Sequence, residues 1–99
     1  MATIEIRRTH AMKVEDLKKK LDEMSGSLEA KYAVKGRWAG DALMILEGSG
    51  MASGVKGRIV LDASTVSIDI DLPLMLRMMK GSIETSVARK LDKVLGAVA

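Results

Sequence analysis

The residues on either side of the single proline, Pro73, constrain the fold more than any other part of the chain. Before Pro73, apolar and polar residues alternate, which is the spacing of a half-buried strand. After it, apolar residues recur at three- and four-residue steps, at Leu76, Met79, Ile83, Val87, Leu91 and Val94. This spacing predicts an amphipathic helix from Leu74 to Leu95, about 33 Å long if it is helical throughout. A strand is therefore expected to lead directly into a long helix that faces the core.

The first two turns of this predicted helix are apolar on nearly all sides. Leu74, Met75 and Met78 project away from the stripe that faces the core. One small domain cannot easily bury both sides of a helix, so we expect these three side chains to form an interaction surface. In solution the simplest occupant is the same surface of a second copy, which predicts a homodimer. In the alternative, the chain breaks at Gly81 and the first helix covers the three residues within one subunit.

The remaining segments predict a small α+β domain. Thr3 to Thr9 alternates as a strand, and Lys13 to Tyr32 carries the narrow apolar stripe of a surface helix. Four more strands follow, and the stretch 48–54 between two of them is expected to be a flexible connection. The predicted order is β-α-β-β-β-β-α, one antiparallel sheet with both helices packed on one face and charged residues on the other. A chain of 99 residues has room for one core, so residues 1–99 form a single domain.

The hairpin after the first helix raises a question of register. Gly40-Asp41 fits a two-residue type II′ turn, in which glycine supplies the positive φ. That turn points two residues inward, Leu43 and Ile45, and two outward, Met44 and Leu46. Two apolar side chains would then lie on a nominally wet face. Either this register is wrong, or the exposure of those two side chains is itself informative.

Composition excludes several classes of protein. The chain has no cysteine, which excludes disulfides, thiolate chemistry and thiolate metal sites. Its eight methionines and two aromatic residues predict a core or interface that tolerates repacking. The start of the chain lacks the apolar core of a signal peptide, and no stretch is long and apolar enough to span a membrane. We therefore expect a cytoplasmic protein.

Few residues are candidates for chemistry. His10 is the only histidine, and no fixed spacing supplies the partner that a catalytic base or metal ligand needs, so a hydrogen-bonded role at the strand-to-helix junction is favoured. Asp69 and Asp71 share one strand face, about 7 Å apart, and could act as a carboxylate pair. The favoured alternative is cross-strand pairing with Lys56 and Arg58. We expect no enzymatic activity, no metal and no cofactor.

A row of basic residues is expected on the outer face of the sheet: Arg7, Lys35, Arg37, Lys56 and Arg58. Such a row could bind an anionic surface, although a mixed, solvated face is the favoured alternative. Single-stranded nucleic acid needs aromatic side chains among the basic ones, and Trp38 and Tyr32 are expected to point inward, Trp38 as a core anchor. Nucleic acid is therefore not an expected partner, even though the net charge is +3.

Seven short motifs occur in order along nearly the whole chain: Arg7-Arg8-Thr9-His10, Lys31-Tyr32, Trp38-Ala39-Gly40-Asp41, Gly54-Val55-Lys56-Gly57-Arg58-Ile59, the junction from Leu72 to Leu76, Lys80-Gly81-Ser82-Ile83-Glu84, and Lys90-Leu91-Asp92. In this order and spacing they resemble the polyhydroxyalkanoic acid system family, small bacterial proteins encoded near polyester-granule genes. The chain departs from the family pattern at Ala33, where glycine is expected, and in the third strand, which lacks an aromatic residue.

The resemblance implies a role at or around polyhydroxyalkanoate granules and no established activity or catalytic residue. We therefore expect a non-enzymatic binding protein whose partners are a granule surface or a granule coat protein. A second hypothesis is a helix-grip-like carrier, in which the sheet curls around the long helix and leaves a lipophilic pocket. A third is a nucleic-acid-binding regulator. A closed pocket would favour the carrier, and a solid core with an exposed apolar patch would favour the interaction module.

Overall fold

The strand order of the sheet follows from one long crossover near the start of the chain. The computed structural model describes residues 3–96 and contains five strands: β1 (Ile4–Thr9), β2 (Val34–Gly40), β3 (Leu43–Gly48), β4 (Lys56–Leu61) and β5 (Thr65–Asp71). They form one antiparallel sheet in the order β1-β5-β4-β3-β2. The helices are α1 (Val14–Tyr32) and α2 (Lys80–Leu95), and short 3-10 segments occupy Gly50–Ala52 and Leu74–Met79. The predicted order and the single antiparallel sheet are confirmed.

Helix α1 carries the chain from one edge of the sheet to the other, because β1 and β2 are the two edge strands. At 1.5 Å per residue its 19 residues span about 28 Å, which exceeds the roughly 19 Å between the outer strands of a five-stranded sheet. The helix buries Leu17, Leu21, Met24 and Leu28 as it crosses. These belong to the predicted apolar stripe of the helix.

The core lies between the inner face of the sheet and the helices. Alternate residues of β1, β4 and β5 point into it, as their period of two predicts. The most deeply buried side chains are Ile4, Leu17, Leu21, Met44, Leu46, Ile59, Val66, Ile68 and Leu91. Because alternate strand residues are buried on the inner face, nearly all of the charged residues of the strands lie on the outer face, where they contact water.

The predicted register of the β2–β3 hairpin is wrong by one residue. Trp38 pairs with Met44, and Gly40 pairs with Leu43, so the turn lies at positions 41 and 42 and Ala39 is an extra residue in a β-bulge. A shift of one residue exchanges the faces of a strand. Met44 and Leu46 are consequently buried, each 1% exposed, whereas Leu43 and Ile45 lie partly exposed on the outer face. The sequence analysis placed Met44 and Leu46 on the wet face because it placed the turn one residue too early.

Truncation of neighbouring residues tests this register. Leu46→Ala removes a fully buried side chain and should lower the free energy of unfolding by about 2–5 kcal/mol. Ile45→Ala, the matched change on the outer face, should lower it by less than about 1.5 kcal/mol. Urea denaturation followed by circular dichroism measures both. A larger loss for Ile45→Ala than for Leu46→Ala would restore the original register.

The predicted helix from Leu74 to Leu95 is not α-helical throughout. Leu74–Met79 is a 3-10 segment, and the α-helix begins at Lys80. Met79 marks the junction, with φ −98° and ψ 11°, just before the break expected at Gly81. The side chain of Arg77 holds the segment against the end of the sheet, because its Nε donates a hydrogen bond to the carbonyl oxygen of Leu72 at 3.3 Å. Apolar residues three apart fit a 3-10 helix as well as an α-helix, so the spacing could not separate the two.

The predicted flexible connection at 48–54 is instead tied to the domain. Ser49 N–H donates a hydrogen bond to the carbonyl oxygen of Ala33 at 2.9 Å, and Gly48 N–H donates to that of Val55 at 2.8 Å. Ala52 is 8% exposed and belongs to the core. The turn comes so close to β3 that a Cβ at Gly48 would overlap the carbonyl oxygen of Ala52. This close approach explains the glycine at position 48.

Ala33 ends helix α1 in the left-handed conformation, with φ 58° and ψ 35°. Its N–H bonds the carbonyl oxygens of Leu28 and Glu29, as in the helix ends that glycine usually forms. Among the described residues, Ala33 is the only one other than glycine with a positive φ. The position at which the family pattern leads us to expect glycine is therefore one where the backbone favours it.

We predict that Ala33→Gly stabilises the protein. Glycine relieves the steric cost of a Cβ at positive φ, and the greater freedom of glycine in the unfolded chain offsets part of this gain. The net increase in the free energy of unfolding should be about 0.5–1 kcal/mol. Gly26→Ala in the exposed middle of the same helix is a useful comparison, because there alanine should stabilise by a similar amount. A destabilised Ala33→Gly variant would contradict the left-handed conformation.

Candidate functional site

His10 has a structural role at the junction between β1 and α1, as predicted. Met12 N–H donates a hydrogen bond to Nδ1 of His10 at 3.2 Å. Since Nδ1 is the acceptor, Nε2 carries the hydrogen and donates to the carbonyl oxygen of Asp62, 2.9 Å away. Nδ1 is therefore engaged within the junction, and Nε2 joins the junction to the β4–β5 turn.

The Asp62 side chain holds the β4–β5 turn. Its carboxylate accepts a hydrogen bond from the Thr65 hydroxyl at 2.7 Å and from the N–H groups of Ser64 and Thr65 at 2.8 and 2.7 Å. These bonds, led by the Thr65 hydroxyl and joined by a smaller effect of His10, lower the pKa of the Asp62 carboxyl from 3.8 to about 2. The shifted pKa thus belongs to a turn and not to a reactive group.

This carboxyl should make stability depend on pH in acid. Because its pKa is lower in the folded protein, its contribution is complete above about pH 4 and is lost as pH falls through about 2. The free energy of unfolding of Asp62→Asn should therefore fall less between pH 4 and pH 2 than that of the unchanged protein. Urea midpoints across this range measure the difference. Asp41→Asn, in the other tight turn, is the matched control, and equal acid sensitivity in the Asp62 variant would contradict this role.

The predicted basic residues lie on the outer face of the sheet, but acidic residues alternate with them. Across neighbouring strands the register places Lys35 beside Glu47, Glu47 beside Lys56, and Lys56 beside Asp71. The next row places Arg37, Ile45, Arg58, Asp69 and Glu5 side by side. Opposite charges are thus neighbours across most of this face, which weakens the field that an anion would meet.

Individual contacts on this face agree with its alternating charges. Arg58 Nε lies 3.4 Å from Asp69 Oδ2, and Arg37 lies 3.9 Å from Glu47. The predicted cross-strand pairing of Asp69 with Arg58 is confirmed. Among residues 3–96, no group of three or more His, Asp or Glu side chains could hold a metal ion. Within the predicted basic row, the cross-strand neighbour of Arg7 is Ser67 on β5 and that of Arg37 is Ile45 on β3, and both neighbours are uncharged.

Trp38 packs against the core from the inner side of edge strand β2, as predicted, but it is only partly buried. Its Nε1 donates a hydrogen bond to Asp22 Oδ1 at 2.6 Å, and Lys18 Nζ lies 4.8 Å from the ring centroid. Both contacts are with α1. Trp38 therefore fastens α1 to the edge of the sheet, and it lies on the opposite face from the basic row.

The predicted interaction residues form an exposed apolar surface at one end of the molecule. Leu74 is 78% exposed, Met75 88% and Met78 93%. The chain does break close to Gly81, but the first helix does not cover these three side chains. Met79, which we expected in the core stripe, is 53% exposed beside them. We call Leu74, Met75 and Met78 the apolar surface.

A cleft of about 400 Å³ lies directly beneath the same segment. Its walls come from the end of α1, the inner face of the sheet, the 50–52 turn and the start of the C-terminal region. The lining is predominantly apolar: Leu28, Ala30, Ala33, Val34, Leu46, Ala52, Val55, Ile70, Leu72, Leu76, Met79, Ile83 and Val87. Glu29, Lys31 and Tyr32 complete the lining from the last turn of α1.

The two helices are joined above this cleft by polar contacts. The Tyr32 hydroxyl lies 2.7 Å from Ser86 Oγ, and Lys90 Nζ donates a hydrogen bond to Ser27 Oγ at 2.9 Å. Sequence reasoning assigned many of the lining residues to the core and kept a lipophilic pocket as the alternative. Their spacing shows which way side chains point, whereas the space left between two helices depends on how far apart the helices lie.

These features define a class: a small two-layer α+β domain with an exposed apolar surface and an adjoining apolar cleft at one end. A family model described as "Putative polyhydroxyalkanoic acid system protein" matches residues 4–95, so the chain belongs to that family and the resemblance is confirmed. Searches of curated proteins and of solved structures found no significant match. In the described part of the chain, no helix has both the length and the apolar composition to cross a membrane.

Proposed function

We propose that this chain is a non-enzymatic binding protein of polyhydroxyalkanoate granule metabolism and that it acts through the apolar surface. The observation that carries this proposal is the exposure of Leu74, Met75 and Met78, each more than three-quarters accessible, in three of the five positions from 74 to 78. Membership of the polyhydroxyalkanoic acid system family supports the granule setting.

Energetics favour an apolar partner for this surface. Full burial of a leucine or methionine side chain stabilises a complex by roughly 1.5–3 kcal/mol relative to exposure. Three such side chains, close together and clear of the core, can therefore provide most of the free energy of a moderate association. Methionine adapts its shape readily, which suits a partner without a fixed surface, such as a polyester or its protein coat.

The proposal that the protein is not an enzyme rests on how its polar groups are used. His10 has both ring nitrogens in hydrogen bonds, and Asp62 has its carboxylate in a turn. Asp69 is paired with Arg58 across the sheet. None of these three groups lines the apolar cleft, and the polar residues at its edge, Glu29, Lys31 and Tyr32, include no histidine, aspartate or cysteine that could complete a catalytic pair.

In solution, away from granules, we propose that the apolar surface pairs with that of a second copy in a two-fold homodimer. A self-complementary apolar patch is the simplest way to keep exposed methionines out of water. The dimer and the granule would then compete for the same three side chains. We propose a cytoplasmic location, where such granules form.

The double change Met75→Glu, Met78→Glu tests this function. Both side chains are exposed, so the variant should fold with a free energy of unfolding within about 0.5 kcal/mol of the unchanged protein. It should be monomeric in sedimentation. Its affinity for polyhydroxyalkanoate particles should fall at least about tenfold in a pull-down, because the free energy of burying two methionine side chains is lost.

The control places the same two charges at the opposite end of the sheet. Ala11→Glu with Ala63→Glu changes two exposed residues beside the β4–β5 turn and should leave assembly and granule binding unchanged. Equal loss of binding in the control would mean that net charge, and not the apolar surface, controls association. Unfolding of the methionine variant would mean that these residues are part of a core.

A further inference from the structure

We infer that the apolar cleft is a binding site for a small aliphatic carboxylate, with the hydrocarbon chain in the cleft and the carboxylate beside Lys31. The site lies on the inner side of the 74–79 segment, whereas the proposed function uses the outer side. The inference therefore goes beyond the proposed function and does not depend on granule binding. Four observations support it: the lining, the charge at the edge of the cleft, the hydroxyl groups at that edge and the structure of the covering segment.

The lining fits a hydrocarbon chain. The volume of about 400 Å³ lies within the range of small-molecule sites, roughly 300–1,000 Å³. Leu28, Leu46 and Val55 are buried residues of the main core and also line the cleft, so the cleft reaches into that core. The Ile and Val side chains of α2 form the wall on the other side, at Ile83 and Val87. No strand or sheet residue in this lining carries a charge, which excludes a polar ligand from the deeper part.

The charge at the edge of the cleft fits a carboxylate. Lys31 lines the cleft and also lines a second, shallow groove between the ends of the helices. That groove is bounded by Arg89, Lys90 and Lys93, and its one acidic residue, Asp92, is paired with Arg8 at 3.0 Å. Glu29 also borders the cleft, so the excess of positive charge comes from the groove on the far side of Lys31, where it favours an anion.

Hydroxyl groups at the same edge can bind the carboxylate directly. The Tyr32 hydroxyl and Ser86 Oγ are hydrogen-bonded to each other between the helices. Each hydroxyl has one hydrogen to donate, and only one of the two hydrogens is used in the bond between them. The other hydrogen can be donated to a carboxylate oxygen. With Lys31, they form a polar edge next to an apolar interior, the arrangement that orients an amphipathic ligand.

The covering segment is suited to opening. None of the six residues of the 3-10 segment is buried, and Leu76 and Met79 are its contribution to the cleft. A segment with so little buried surface opens locally at low free-energy cost. A chain can therefore enter past Leu76 and Met79 without disturbing the sheet.

Methyl NMR of the full chain during titration with hexanoate, octanoate and decanoate tests the site. We expect saturable shifts at Ile83, Val87 and Leu72, and none at Val60 on the outer face of the sheet. Affinity should rise about fourfold for each added methylene until the cleft is full. Decanol, which has the same chain without the charge, should bind more weakly than decanoate. Shifts restricted to Met75 and Met78 would overturn the site, as would the absence of saturation.

Two variants separate the two halves of the site. Lys31→Glu should weaken decanoate about three- to tenfold and leave decanol unchanged, as expected for a partly solvated ion pair. Lys20→Glu, on the exposed side of the same helix, should change neither. Ile83→Trp should exclude both ligands by filling the cleft, and Lys31→Glu remains decisive if that variant folds poorly. Unchanged decanoate affinity in Lys31→Glu would overturn the assignment of the carboxylate.

Discussion

The path of helix α1 is the constraint on which the rest of the structure depends. Because β1 and β2 are the two edge strands, the chain between them has to cross the whole inner face of the sheet. One 19-residue helix does so, and Trp38 fastens it to the edge strand through Asp22 and Lys18. The three hairpins that follow return the chain to β1, and α2 has to pack in the space that α1 leaves. The two helices are therefore antiparallel, and they are joined by hydrogen bonds between Tyr32 and Ser86 and between Ser27 and Lys90.

This arrangement explains why the apolar surface and the cleft occur together. Helix α1 ends at Ala33, and the sheet ends at Asp71, so little remains to cover the segment that joins the sheet to α2. Its residues then divide between two surroundings. Leu76 and Met79 face the space between the helices, whereas Met75 and Met78 face solvent. Both candidate binding surfaces therefore lie at the end of the molecule where the domain has too few elements to cover its apolar residues.

The sequence predicted which face of a strand each residue occupies where neighbouring residues differ in polarity, and it failed to do so where they do not. In β5 every second residue is apolar, and the predicted faces were correct. In β3 four consecutive apolar residues, 43–46, fit either register, and the bulge at Ala39 decided between them. One signal was present: Glu47 has the same parity as Ile45, so a charged residue marked the outer face. The 3-10 segment and the cleft depend on distances between elements, to which a pattern of residue types along the chain is insensitive.

The same segment forms part of both candidate binding sites, which has a thermodynamic consequence. A chain in the cleft would contact Leu76 and Met79, and an apolar partner would contact Met75 and Met78 on the same two turns of backbone. If occupation of the cleft shifts this segment, the affinity of the outer surface changes, and by linkage the outer partner changes the affinity of the cleft by the same factor. The outer face of the sheet differs, because Arg58 is paired there with Asp69 and Arg37 with Glu47. If both sites bind as proposed, the physical basis for their coupling is a few apolar residues beside Pro73, where the strand spacing changes to helix spacing.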